Sequence, residues 1–296
     1  MDNNSSRNNT IAKNTFLLYL RSLFGLAVSL YTSRIVLNSL GIDDYGIYNV
    51  VGGMVAMFSL LSNSLSTAIS RYLTFELGKE NIDKLRTIFS SSVVIQTGLA
   101  LFILLLVEIF GICFLNLYIN IPAGRLEAAH WALQCSAITF AVGLISIPYN
   151  ATIIAHEKMV FFAYISILEQ VLKLIVAYLL YISPFDKLKI YAFLLVIVSI
   201  LIRAIYGMYC KRQFEECNGK IIIDKSFIRQ MVDFAGWNFL GAGSGVLMTQ
   251  GVNILMNLFF TVAVNAARGV ATQIEGVVMS FVNNFTTAIN LSLIHI

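Results

Sequence analysis

Three arginines stand inside apolar stretches of this chain, Arg21, Arg34 and Arg268, and they have the clearest capacity for chemistry. An arginine within a hydrocarbon-spanning segment costs about 2.5–3.5 kcal/mol on insertion scales, so it faces protein, water or the nearer surface. Each could hold an anionic headgroup, because a guanidinium is planar, permanently charged and able to bind two oxygens at once. Arg34 shares a helical face with Asn38, whereas Arg21 and Arg34 are about 140° apart around a helix. Snorkelling to the nearer surface is the competing reading for Arg21 and Arg34. For Arg268 the competitor is a place at the outer water boundary. Arg268, Thr272 and Glu275 fall together at helical spacing, so the arginine and the carboxylate could pair or exchange partners in a conformational cycle. Glu169 and Lys173, four apart, make either a structural ion pair or a cation-coupling relay.

Other chemistries find no support. Cys113, Cys135, Cys210 and Cys217 include no CxxC pair and no histidine at ligand spacing, so no metal or redox centre is expected and the four are read as packing residues. The stretch His156-Glu157-Lys158 lacks the second histidine of a zinc-binding HExxH helix and reads as a solvated loop. No GxxxxGK[ST] phosphate loop occurs. Gly236, Gly241, Gly243 and Gly245 open an apolar helix, where they favour close packing or a bend. No cofactor, no catalytic residue and no enzyme activity are expected.

The elements that must carry these side chains follow from composition. With 58% hydrophobic residues, 12% charged residues and three prolines in 296, the sequence describes a membrane protein. Apolar segments of about 20 residues, enough to cross about 30 Å of hydrocarbon, recur throughout. They must be helices, since lipid offers the backbone no hydrogen-bond partner. Expected spans are 15–40, 46–70, 87–111, 127–153, 160–182, 188–210, 231–257 and 264–290. With the N-terminus inside, Lys and Arg concentrate in the inner connections, and the outer ones carry only Arg125, Lys187 and Lys189. The net charge of +4 thus reflects topology and gives no reason to invoke nucleic acid. The first helix is too long for a signal peptide and lacks a small-residue cleavage site.

Within the first helix, Ser22, Gly25, Ser29 and Ser33 make a stripe that would let a neighbour approach closely. In the second, Asn49, Gly52, Ala56, Ser59, Asn63, Ser66 and Ser70 follow at alternating spacings of three and four, and that face meets a packed neighbour or an aqueous cavity. Arg203, in the sixth, reads as snorkelling. Shifted by 219 residues, Arg34 falls on Asn253 and Asn38 on Asn257; shifted by 220, SLSTAIS falls on NFTTAIN. Such a repeat with six helices in its first unit implies parallel halves. The face of Arg34 and Asn38 then matches that of Gln250, Asn253 and Asn257, with Asn283 continuing the second stripe, and a site between the halves is expected. The fold class is all-α, a polytopic transmembrane helix bundle. Its parts are a cytoplasmic tail 1–14, a six-helix lobe 15–210, an inter-lobe loop 211–230 and the first two helices of a second lobe, 231–290.

Longer stretches carry a resemblance. NTFLLYLRSLFGLAVSLYTSRIVLNSLGIDDYGIYNVVGG, IPYNATIIAHEKM, GVNILMNLFF and VNAARGVATQIEGVV resemble bacterial polysaccharide and O-antigen flippases of the multidrug/oligosaccharidyl-lipid/polysaccharide exporter superfamily. The resemblance runs over residues 10–290 as continuous similarity without a short catalytic motif. It implies two six-helix lobes around a V-shaped cavity whose rocking moves an undecaprenyl-diphosphate-linked oligosaccharide across the bacterial cytoplasmic (inner) membrane. In related lipid II flippases arginines on the first, second and eighth helices serve the diphosphate. Arg268 matches the last, Arg21 or Arg34 the first by position, and the second helix has no interior counterpart. Asn38, Asn63, Gln250, Asn253, Asn257 and Asn283 would contact the sugar. The implied partners are the lipid-linked cargo, the bilayer and glycan polymerase machinery. The repeat length also suggests a chain cut short after helix eight, with 291–296 non-native. Two rival functions are a cation-coupled multidrug exporter of the same fold and a non-transporting scaffold of a glycan assembly complex.

Overall fold

A computed structural model describes residues 2–117, 121–122, 124–218, 222, 224–231 and 233, with scattered positions from 237 to 282. Described side chains begin at residue 21 and leave out 60, 61, 63 and 64. The described chain is helical, without a strand: α1 (Asp2–Ala56), α2 (Ser59–Gly78), α3 (Ile82–Leu106), α4 (Ile112–Leu117), α5 (Leu126–Ala155), α6 (Met159–Ile182) and α7 (Lys187–Gln213). A π-helical turn, Val107–Gly111, joins α3 to α4, and a 3-10 turn, Glu215–Asn218, follows α7. Among the described residues five stretches are long and apolar enough to cross a membrane: Arg21–Ala56, Ile82–Leu117, Leu126–Ala155, Met159–Ile182 and Lys187–Gln213.

The expected spans and the observed helices differ in an instructive way. Residues 15–40 and 46–70 do not form two helices separated by a loop, because the chain turns at Gly41 alone (φ 82°, ψ 173°) and resumes the helix at once. Only glycine occupies that region without strain. The second expected span is interrupted at Met57 and Phe58, where the Phe58 amide donates to Val55 at 3.1 Å, and it restarts as α2, which runs on to Gly78. The tail expected at 1–14 is continuous with α1 from Asp2.

Within these helices, several hydroxyl side chains bond to their own backbone. Ser33 donates to the Ser29 carbonyl at 2.9 Å, Thr97 to Val93 at 2.8 Å and Ser166 to Phe162 at 2.9 Å, which suits polar groups in an apolar medium. Two helix starts carry side-chain caps: Asn81 accepts the Lys84 amide at 3.1 Å, and Asp186 accepts the Leu188 amide at 3.1 Å.

Helix α5 is the centre post. Its Ala129, Ala132, Ala137 and Ala151 are almost fully buried, and such small side chains let α2, α3 and α7 pack closely against it. One core gathers Val51, Ile69, Ile103 and Leu133 on the α2–α3 side; the other gathers Val36, Ile153, Leu180 and Ile202 on the α6–α7 side.

Described residues of and next to the stretch 211–230, expected as an inter-lobe loop, pack against the preceding helices. Phe227 and Met231 are buried, Phe227 meets the Tyr72 ring edge-on at 5.1 Å, and the Ser91 hydroxyl donates to the Ile222 carbonyl at 3.3 Å while accepting the Asp224 amide at 3.2 Å.

Candidate functional site

The small-residue stripe of the first span faces α6, and a polar cavity of about 300 Å³ opens between the two helices. Arg21, Ser22, Gly25 and Ser29 line it from α1, and Ser166, Glu169 and Gln170 from α6. Glycine and serine at helical spacing leave the room that bulkier side chains would fill. The Arg21 guanidinium lies 4.7 Å from the centre of the Phe162 ring, a cation–π contact that holds it at membrane depth. Glu169 accepts from Lys173 at 2.6 Å, the pair expected from their spacing. Arg21 and Glu169 share one cavity, which spacing on separate helices could not show. The lining thus holds one cation, Arg21, and one carboxylate, Glu169, whose charge Lys173 answers from outside the cavity.

The other residues expected at a site fall elsewhere. Arg34 and Asn38 are exposed on the face of α1 turned away from this cavity, where Leu30 and Tyr31 also stand. The second stripe is half-buried at each described side chain, and Gly52 and Ala56 line a smaller cavity of about 200 Å³ against α5 and α7. Asn49 donates to the Tyr45 carbonyl at 2.9 Å, and a Cβ placed on Gly269 would stand 3.3 Å from its amide nitrogen. Gly269 therefore passes close to α1, with Arg268 half-buried beside it, and Gly276, seven residues on, reaches the Arg21 cavity. Thr272 donates to the Gly269 carbonyl at 3.0 Å, and Glu275 is exposed. Gln250, Asn253, Asn257 and Asn283 lie outside the described residues, as does the side chain of Asn63.

Two sequence readings need correction. His156 is no solvated-loop residue: it pairs with the buried Glu216 at 2.6 Å and stacks on Phe214 at 4.1 Å between ring centres. Burial disfavours the Glu216 carboxylate, but the hydrogen bond from His156 and a backbone donor hold the carboxyl below its ordinary range. Arg203 does not snorkel; its guanidinium sits 3.7 Å from the centre of the Tyr149 ring and folds over Gly207, where a Cβ would come within 2.8 Å. Cys135, Cys210 and Cys217 are buried in the core, as packing residues would be, and Cys210 donates to the Tyr149 carbonyl at 3.6 Å.

Sequence reasoning also missed a cluster at one end of the bundle. Arg125 bridges Asp44, in the helix after the Gly41 bend, and Asp186, the cap of α7, and Lys189 reaches Glu127 at 2.5 Å. The available signal was the scarcity of basic residues in the connections on that side. Among the described residues no group of three or more His, Cys, Asp and Glu could hold a metal ion.

Among the described residues, an all-helical bundle with five stretches long and apolar enough to cross a membrane defines the class of polytopic membrane proteins. A family model, MatE, matches residues 20–179, more than half of the chain, and the chain belongs to the MatE family of membrane transporters, within the multidrug/oligosaccharidyl-lipid/polysaccharide exporter superfamily. A solved chain named "protein A" has a similar fold, with a TM-score of 0.78 at 12% identity, covering 95% of this chain. The present chain spans 63% of the length of that chain. No curated protein matches the sequence.

Proposed function

We propose that this chain belongs to a transporter that flips an undecaprenyl-diphosphate-linked oligosaccharide across the bacterial cytoplasmic membrane, with its N-terminus on the cytoplasmic side. The observation that carries this reading is the Arg21 guanidinium in the α1–α6 cavity, where the charge of the lining carboxylate, Glu169, is answered by Lys173 at 2.6 Å. A diphosphate entering a low-dielectric space needs fixed basic partners, and arginine supplies them bidentately. Arg34 and Asn38 are exposed on α1, where a cargo passing between lobes would meet them, and Arg268 precedes Gly269, which approaches Asn49. The sugar would meet amide side chains, and the polyprenyl tail would stay in lipid.

A second reading draws on Glu169. A carboxylate in a first-lobe cavity is what a cation-coupled multidrug exporter needs to hold a proton, a metal cation or a cationic drug. Lys173 at 2.6 Å already neutralises that carboxylate, and this weighs toward the anionic cargo.

The experiment is surface-glycan export in bacteria whose own flippase is deleted, complemented with the full-length protein. Substituting Arg21, Arg34 and Arg268 singly by asparagine is expected to abolish export while membrane insertion persists. Intact export together with drug resistance that depends on Glu169 would select the multidrug reading. Export intact in all variants without such resistance would select a scaffold role.

A further inference from the structure

Two departures from α-helical geometry face one another across a groove apart from the Arg21 cavity. On one side is the break at Met57 and Phe58 between α1 and α2; on the other is the π-helical turn Val107–Gly111. Between them lies an apolar cavity of about 510 Å³, lined by Met54, Met57, Phe58, Phe110, Cys113 and Leu133 among others. That is the size and character of a small-molecule site, which is concave, largely apolar and about 300–1,000 Å³. π-Turns recur at functional positions, because the extra residue re-aims the side chains around it. Gly111 closes the floor: a Cβ there would come 3.2 Å from Val107 and 3.4 Å from Leu133.

Its surroundings identify the occupant. The groove is continuous with the lipid-facing surface of the Ile82–Leu117 span, where Leu101, Phe102, Leu105, Ile109 and Phe110 are all exposed. Hydrocarbon is the medium that reaches it from that side. The lining offers no charged or amide group, so it cannot hold a phosphate or a sugar, and whatever enters must leave its headgroup at the membrane surface. Methionines and phenylalanines adapt to a flexible chain.

We propose that this groove holds one acyl chain of a bilayer phospholipid as a resident lipid, wedged between the α1–α2 break and the π-turn. The site is separate from the Arg21 cavity, and its test is independent of what the protein transports. The lipid binds one per chain and exchanges more slowly than the annular shell.

Cys113 gives a native handle, because it lines the groove and is exposed while Cys135, Cys210 and Cys217 are buried. The purified protein, delipidated in detergent and resupplied with phosphatidylethanolamine alone, is examined by native mass spectrometry. One retained phospholipid is expected. Cys113→Trp, which fills the groove, should reduce retention by at least about tenfold because the ring displaces buried methylenes. Phe102→Trp, on the same surface outside the groove, should leave retention unchanged. If the filled variant fails to fold, alkylation of the wild-type Cys113 thiol decides, with delipidation expected to speed it about tenfold and added phospholipid to restore protection. Equal retention by the wild type and Cys113→Trp would overturn the proposal. So would Cys113 protection that survives delipidation, which would mean that protein covers the groove. Displacement by an equimolar polyprenyl phosphate would overturn the phospholipid assignment as well.

Discussion

Arg125 grips Asp44 with two nitrogens, Nε standing 2.7 Å from Oδ1, across 81 positions of sequence. The same guanidinium donates from Nη1 to Asp186 at 2.7 Å. One side chain thus ties the helix resumed after Gly41 to the start of α5 and the cap of α7; burial pushes the Asp186 carboxyl up, but the Arg125 hydrogen bond and charge together with the Lys189 and Leu188 amides keep it below the ordinary range. Losing the fork should cost about 1–3 kcal/mol, since charge-assisted bonds contribute about 1.5–3 each and partial exposure screens them. Arg125→Gln is expected to lower the unfolding midpoint of the detergent-solubilised protein. Arg125→Lys should recover less than half, because an ammonium cannot serve both carboxylates in plane. Equal stability of the three proteins would show the bridge to be ornamental.

Acid should loosen the turn after α7. Glu216 has a lowered pKa in the folded state, so its contribution is complete above the unfolded value of about 4.3 and is lost as the pH falls through the folded value. Hydrogen exchange of residues 214–218 is expected to quicken on acidification below about pH 4 in the wild type. Glu216→Gln should lack that acid-dependent step and exchange quickly throughout. Parallel profiles for the two proteins would argue against the His156–Glu216 pair as the cause.

Gly41 carries the bend that separates the two parts of α1. Open space surrounds it, so a methyl group meets no neighbour and the cost of Gly41→Ala comes from the backbone alone, about 1–3 kcal/mol for a residue held at φ 82° and ψ 173°. A lower unfolding midpoint is expected, and unchanged stability would mean that the chain can bend elsewhere.

The cavity between α1 and α6 distinguishes two kinds of cargo. If an anion is handled there, Arg21→Gln should reduce glycan export by at least about tenfold, while Glu169→Gln, which frees Lys173, should leave it within about threefold. Cation coupling predicts the reverse order. Transport measured in vesicles at matched expression separates the two.

Much of the bundle was legible beforehand. The apolar segments placed α5, α6 and α7 to within a few residues, because lipid permits no other backbone solution for such lengths. Spacing alone brought Glu169 onto Lys173 and separated Arg21 from Arg34 around the helix. Side-chain fates at the water boundary were less legible. His156 read as solvated, yet a glutamate sixty positions away is folded onto it. Arg203 read as reaching for water, yet Tyr149 on a neighbouring helix offers its ring.

Composition and periodicity by themselves determined that this chain is a membrane bundle of helices and which faces of the first two spans are small and polar, since those properties are local and repeat every few residues. Tertiary structure decided which cation meets which carboxylate: Arg125 with Asp44 and Asp186, and Arg21 in one cavity with Glu169. Those partners come from different helices, and a charge at membrane depth finds its counterpart only after packing has settled which helices are neighbours.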